Sequence, residues 1–269
     1  MRIVRPEALE HNPTFPLPAC HKPIMYDLII SDIDGCLSPE DSSPLNIEKL
    51  NLVAEHNRLA FAQHDRPKLT LCTGRPIPFA EGLCRLLQNP SVPCVAENGV
   101  WLYDPSSNGY WMDPSITEEQ LEMVHEAELF SLKTYRKDGV TLQPGKSASV
   151  TLYHPDPNVL QRVAPELQQQ FDRYGFEFRV SLTLFYINCD LPQITKASGI
   201  DRLLEVTGID PTRTAGIGDT SSDLAIAERV KTFGCPANAI ASVKEAAHFI
   251  SEHEQIDGVL DFMQFLMDQ

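Results

Sequence analysis

Tyr26-Asp27-Leu28-Ile29-Ile30-Ser31 runs directly into Asp32-Ile33-Asp34-Gly35. A short apolar run bounded by a turn signal reads as a strand buried on both faces, the kind a parallel sheet uses. Residues i and i+2 of an extended chain share a face, so Asp32 and Asp34 point the same way. Two carboxylates so placed repel unless a cation or a shared proton relieves them. Gly35 permits the turn that follows. Taken alone, the segment also reads as a polar loop with an Asx turn.

Working outward, the next segments alternate. A helix is expected over about 45–63, a strand at Leu69–Cys72, a helix over 77–89 and a strand at Val92–Ala96. Alternation resumes with a helix over 196–207 closed by Gly208, a strand at Thr214–Ile217 and a helix starting near Ser221. A strand near Thr232–Phe233 and helices over 241–248 and 256–267 follow. Strand–helix alternation of this kind predicts an α/β fold with a doubly wound, Rossmann-like parallel sheet. Residues 105–190 read differently: helices over 117–132 and 158–174, and strands over 140–143, 148–154, 177–181 and 184–189. Short turns such as Gln143-Pro144-Gly145 imply antiparallel hairpins there. The expected organisation is therefore an arm over 1–24, a core of 25–104 plus 191–269, and an α+β insertion over 105–190. The arm carries five prolines (Pro6, Pro13, Pro16, Pro18, Pro23) and no clear periodicity.

Composition narrows the partners. The chain of 269 residues carries 22 Lys and Arg against 37 Asp and Glu, a formal charge of −15, which disfavours nucleic acid and anionic membranes. No apolar run approaches the roughly 18 residues that would span a bilayer. Seven cysteines without a CxxC pair, and no basic-then-apolar leader, fit a reducing cytoplasm. A phosphate site in so acidic a chain needs a local cation, either a metal or converging Lys and Arg.

Three further segments lie where expected elements begin or end. Thr73-Gly74-Arg75 offers a hydroxyl, an unshielded backbone N–H and a guanidinium, a plausible phosphate cradle or an ordinary capped loop. Lys196 opens a helix, where the macrodipole disfavours a cation by a few tenths of a kcal/mol. Gly218-Asp219-Thr220-Ser221-Ser222-Asp223 places two acids at i and i+4, one face of a helix if both enter it; one of them also fits an N-cap. Jointly, these segments set four acids, a hydroxyl and two cations at the C-terminal edge of a parallel sheet, where open α/β folds bind ligands.

The order DxDG, TGR, a helix-opening lysine and GDxxxD resembles the four motifs of the haloacid dehalogenase superfamily. Glu97-Asn98-Gly99 resembles a segment of its sugar-phosphatase (Cof-type) branch, whose inserted α/β cap the 105–190 region also resembles. Ser222 stands where that branch usually has Asn, and Ala197 follows Lys196 where Gly is common. The resemblance implies Asp32 as nucleophile and Asp34 as general acid and base. It implies Thr73, Gly74, Arg75, Asn98 and Lys196 around the phosphoryl group, and Mg2+ held by Asp32, Asp34 (through its carbonyl), Asp219 and Asp223. The implied activity is hydrolysis of a sugar phosphate or similar small metabolite through an aspartyl-phosphate. A phosphomutase would use the same aspartates, and a non-catalytic binding module would be expected to lose one of them. Arg136, Lys137, Lys146 and Arg179 are candidate substrate contacts from the insertion, although each also fits a solvated face.

Overall fold

In the computed structural model, which describes residues 25–41 and 43–269, the first apolar run forms β1 (Leu28–Ser31), buried along its length. The expected arm over 1–24 lies outside the described residues. Side chains of β1 alternate between two cores: Ile29 packs with Leu50, Val53, Leu83 and Phe262, while Leu28 and Ile30 pack with Ile200, Leu203 and Phe233. Both faces of the strand are therefore covered, which is why it reads as a continuous apolar run. Each such buried Leu or Ile contributes roughly 1.5–3 kcal/mol.

The chain continues through α1 (Ile47–Gln63), which Asn46 caps by accepting the Lys49 N–H, to β2 (Lys68–Leu71), parallel to β1. After α2 (Ile77–Leu86), β3 (Cys94–Ala96) carries the sheet one position further through a parallel bridge between Cys72 and Val95. Then come β4 (Trp101–Asp104) and β5 (Gly109–Met112), an antiparallel hairpin on β3 that the sequence reading did not anticipate.

Next are α3 (Glu118–Tyr135), β6 (Thr141–Leu142), β7 (Ser149–Tyr153), α4 (Pro157–Tyr174), β8 (Arg179–Leu182) and β9 (Tyr186–Asp190). Their strands pair antiparallel in the order β6-β7-β9-β8 and pack against α3 and α4 around a core of their own, including Val150, Leu167, Phe171 and Ile187.

The parallel sheet is completed by α5 (Lys196–Thr207), β10 (Thr214–Ile217), α6 (Leu224–Ala227), β11 (Thr232–Cys235), α7 (Ala241–Ala246), β12 (Phe249–Ile250) and α8 (Gln255–Asp268). The order β12-β11-β10-β1-β2 puts β1 beside both β2 and β10. Strand order therefore reverses next to β1, and the crevice at its C-terminal end is the natural ligand position of such a sheet. Among the described residues, no helix is long and apolar enough to cross a membrane.

Candidate active site

Asp32 leaves the end of β1 with its N–H donated to the Ile217 carbonyl of β10, so the two strand ends hold it in register. Its side chain is buried, and Oδ1 lies 2.8 Å from Lys196 Nζ. Lys196 is the first residue of α5, after the N-cap Thr195, which exchanges capping hydrogen bonds with Ser198. Its ammonium reaches 2.6 Å from Asp223 Oδ1 as well. The helix-dipole penalty expected for this lysine is outweighed by two buried carboxylates. Burial opposes its charge, but Asp223 and Asp32 hold its pKa well above the usual lysine value.

The i, i+4 pairing expected for Asp219 and Asp223 does not form on an α-helix. Asp219 precedes a 3-10 turn (Ser221–Asp223), and the Asp223 carboxylate folds back instead. Its Oδ2 accepts from the N–H groups of Asp219 and Thr220 at 3.1 and 2.9 Å, and from the Thr220 hydroxyl at 3.0 Å. Asp219 is thereby aimed at Asp32. Its Oδ2 accepts from Asn238 Nδ2 at 3.3 Å, while its buried Oδ1 has no partner among the described residues. Gly35, at φ +77°, is required beside it, since a Cβ there would sit 2.0 Å from Asp219 Oδ2.

Asp32, Asp219 and Asp223 each present an oxygen within 4.8 Å of the others. With only Lys196 among them, three ionised carboxylates would leave a net charge of −2. Burial first, and then the neighbouring carboxylates, push Asp219 up to about 9 and Asp32 up to about 7. An all-oxygen donor set, a charge deficit of two and a partnerless buried oxygen fit a hard divalent cation. The Asp34 side chain is not one of the three.

Asp34 is instead gripped by Arg75, with Nε 2.8 Å from Oδ2 and Nη2 2.6 Å from Oδ1. This bidentate pair raises the Arg75 pKa further. The guanidinium also lies over the rings of Phe79 and Tyr186, 5.2 and 6.0 Å from their centroids. Thr73, fully buried, accepts the Arg75 N–H at 3.0 Å and keeps its own hydroxyl proton available. Gly74 packs so closely on Asn98 that a Cβ would fall 3.0 Å from its Oδ1. Asn98 turns its amide nitrogen away, to Asp190 Oδ2 at 3.1 Å.

Of the insertion's four candidate cations, Lys146 reaches the core loop and donates to the Gly74 carbonyl. Arg179 spends itself on the Ile194 carbonyl at 2.9 Å and Asp190 at 3.5 Å, while Arg136 and Lys137 are exposed on the turn after α3. Three residues escaped the sequence reading. Asn238 ties Gly35 to Asp219, Tyr186 stacks on Arg75, and Glu97 accepts three hydrogen bonds from residues 147–149. Only Glu97 carried a signal, as an acid inside the Glu97-Asn98-Gly99 segment.

The chain resembles known proteins in sequence and in fold. A Methanopyrus kandleri protein named phosphoglycolate phosphatase is 25% identical over 252 residues, covering 91% of this chain and 99% of its own. One of that name from Methanosarcina acetivorans is 28% identical over 244 residues, covering 90% and 96%. Among solved structures, a Thermoplasma acidophilum protein superposes with a TM-score of 0.68 at 20% identity, covering 90% of this chain and 98% of its own. A haloacid dehalogenase-like hydrolase from Bacteroides thetaiotaomicron gives 0.66 at 20% identity, covering 90% and 99%. The family model for haloacid dehalogenase-like hydrolases matches residues 108–263, more than half of the chain. With that match and this strand-end arrangement together, the chain belongs to the haloacid dehalogenase-like hydrolase family.

Proposed function

We propose that this protein is a magnesium-dependent phosphatase that hydrolyses a small phosphorylated metabolite, with Asp32 as nucleophile. The observation that carries the reading is the grouping of Asp32 with Lys196 and the partnerless Asp219 oxygen at the strand-order reversal. The relatives named phosphoglycolate phosphatase support a phosphomonoester substrate.

Asp32 attacks phosphorus as the bond to the leaving oxygen breaks, forming an aspartyl-phosphate. Asp34, released from Arg75 and protonated from solvent, gives that proton to the leaving oxygen, then takes one from the water that attacks phosphorus, releasing phosphate and restoring Asp32. To do so Asp34 must leave the fork of Arg75, so substrate binding has to recruit that guanidinium. Lys196 and the Thr73 hydroxyl meet the charge that spreads over the equatorial oxygens. Asp32, Asp219, Asp223 and the Asp34 carbonyl would hold Mg2+, whose charge offsets the carboxylates and draws in the phosphate. Residues 118–190, whose β6–β7 turn rests on the loop after β2, serve as a cap that limits water and selects the leaving group, while β5 stays with the core hairpin.

The test is phosphate release from a panel including 2-phosphoglycolate and sugar phosphates, with magnesium or with EDTA. Magnesium-dependent release, lowered by more than about a thousandfold in Asp32→Asn, is expected. Release unaffected by that substitution would overturn the assignment; bisphosphate-activated isomerisation without release would make it a mutase.

A further inference from the structure

The sheet of the insertion has two faces of opposite character. Val150 and Leu152 of β7 and Ile187 and Cys189 of β9 point into the core shared with α3 and α4. Side chains alternate along a strand and directly paired residues share a face. Ser149, Thr151 and Tyr153 therefore line the opposite face with their partners Asp190, Asn188 and Tyr186. That face looks onto the strand-end crevice, because it touches the core loop at two points. Asp190 accepts from Asn98, which packs on Gly74, and the Arg75 guanidinium lies over Tyr186.

Between those two anchors runs a middle row, Ser181, Asn188 and Thr151, side by side in the register of β8, β9 and β7. None of the three carries charge. Thr151 is buried, and its hydroxyl donates to Asn188 Oδ1 at 3.2 Å. This contact fixes the amide and leaves Nδ2, with its two protons, unused. Among the described residues, neither that nitrogen nor the Ser181 hydroxyl has a hydrogen-bond partner.

The cations around this row are already engaged. Arg75 holds Asp34, and Arg179 holds Asp190 and the Ile194 carbonyl. Lys146 donates to the Gly74 carbonyl within the fields of Glu97 and Asp190, each of which keeps a buried oxygen without a partner. An anion entering beside Asn188 would meet those oxygens, whereas an uncharged oxygen takes the free N–H groups with no such repulsion.

Resting on the phosphatase reading above, we infer that Asn188 selects the leaving group by donating its amide N–H to an uncharged oxygen, a hydroxyl or a carbonyl. Thr151 is the positioning residue that holds the amide for it. The substrate is then a monoester of a neutral, hydroxylated alcohol, not one whose leaving group bears a second anion. Asn188 meets the part of the substrate that does not react, so its effect belongs in KM.

The experiment compares three esters on one carbon frame: glycerol 3-phosphate, propyl phosphate without hydroxyls, and 3-phosphoglycerate with a carboxylate. Wild type should favour glycerol 3-phosphate over propyl phosphate in kcat/KM by about two- to tenfold, the range for one neutral hydrogen bond. It should favour it over 3-phosphoglycerate by at least as much. Asn188→Leu should bring the first ratio to about one through KM. Thr151→Val should lower that ratio partway, and Thr151→Ser should restore it, which a merely structural role would not do. Asn188→Ala repeats the test if the leucine variant does not fold, as judged by its melting curve. A wild type that puts propyl phosphate or 3-phosphoglycerate first would overturn the inference. So would a preference that survives the loss of Asn188, or a uniform fall on all three esters. Phosphate release with no preference among them would overturn it while sparing the phosphatase reading; release from none would overturn both.

Discussion

Two buried acidic regions lie side by side in this molecule, and they are built on opposite terms. At the seam between the sheet core and the insertion, Glu97 sits fully buried with its Oε1 accepting two backbone N–H groups and a hydroxyl at 2.8–3.0 Å. Glu97 and Asn98 both hold left-handed backbone, φ +51° and +54°, at roughly 1–3 kcal/mol each. At the end of β1, three carboxylates converge, two of them share one ammonium, and an Asp219 oxygen is left with nothing to accept from. At the seam a single acid has three chain donors on Oε1, although its Oε2 is buried without a partner, and those donors hold a loop in place. The knot at β1 is held in position by its neighbours but not neutralised by them. A buried acid whose donors come from the chain is a structural part, whereas acids converging without enough donors point to a ligand.

That contrast breaks if the two regions respond alike to substitution. Asp34→Asn should lower kcat by about 10²- to 10⁴-fold, the range for a positioned acid–base group, while the melting temperature stays close to wild type. Glu97→Ala should do the reverse. Stranding the buried donors of Ala148 and Ser149 costs about 2–4 kcal/mol and lowers Tm by roughly 5–10 °C, with kcat per folded molecule little changed.

Asp219→Asn sharpens the contrast through pH. Burial and the neighbouring carboxylates push the folded carboxyl up to about 9 from its ordinary 3.8, so folding favours its protonated form. That stability is fully present below about pH 4 and is lost as pH rises toward 9. In EDTA, Asp219→Asn should therefore match wild type near pH 4 and melt several degrees higher near pH 8. Magnesium should raise the Tm of wild type and not of the variant. An advantage that shrinks as pH rises would contradict the burial of that charge. The smallest effect is expected at Tyr186→Leu, which removes one face of the Arg75 stack. A loss of about 0.5–1 kcal/mol would appear as a two- to fivefold rise in KM with kcat unchanged.

The sequence exposed the β1-end site well because its residues stop apolar runs: Asp32 follows Ile30-Ser31, Thr73 follows Leu71-Cys72, and Asp219 follows Ile217-Gly218. Strand ends and helix starts are local features, so a reader of the chain can find them. The β4–β5 hairpin was missed although Trp101, Tyr103, Tyr110 and Trp111 flank an Asn108-Gly109 turn signal, because Pro105-Ser106-Ser107 reads as open loop. The two-residue β12 is too short to carry a period. Long-range donors were invisible for a different reason. Asn238 bonds Gly35 across 203 positions, and Lys146 bonds Gly74 across 72. No spacing rule links such residues; only the folded sheet and the seated insertion bring them together. Asp223 was found by its motif, yet its use as an acceptor for the Asp219 and Thr220 N–H groups emerges only from the 3-10 turn.

The central claim is that Asp32 itself accepts the phosphoryl group. It is tested most directly by quenching the enzyme during turnover with magnesium, reducing with borohydride, and sequencing the peptides by mass spectrometry. An acyl-phosphate on Asp32 would be reduced to homoserine at that position alone, and the label should vanish when substrate is omitted. Reduction at another carboxylate, or steady phosphate release with Asp32 never labelled, would contradict the account.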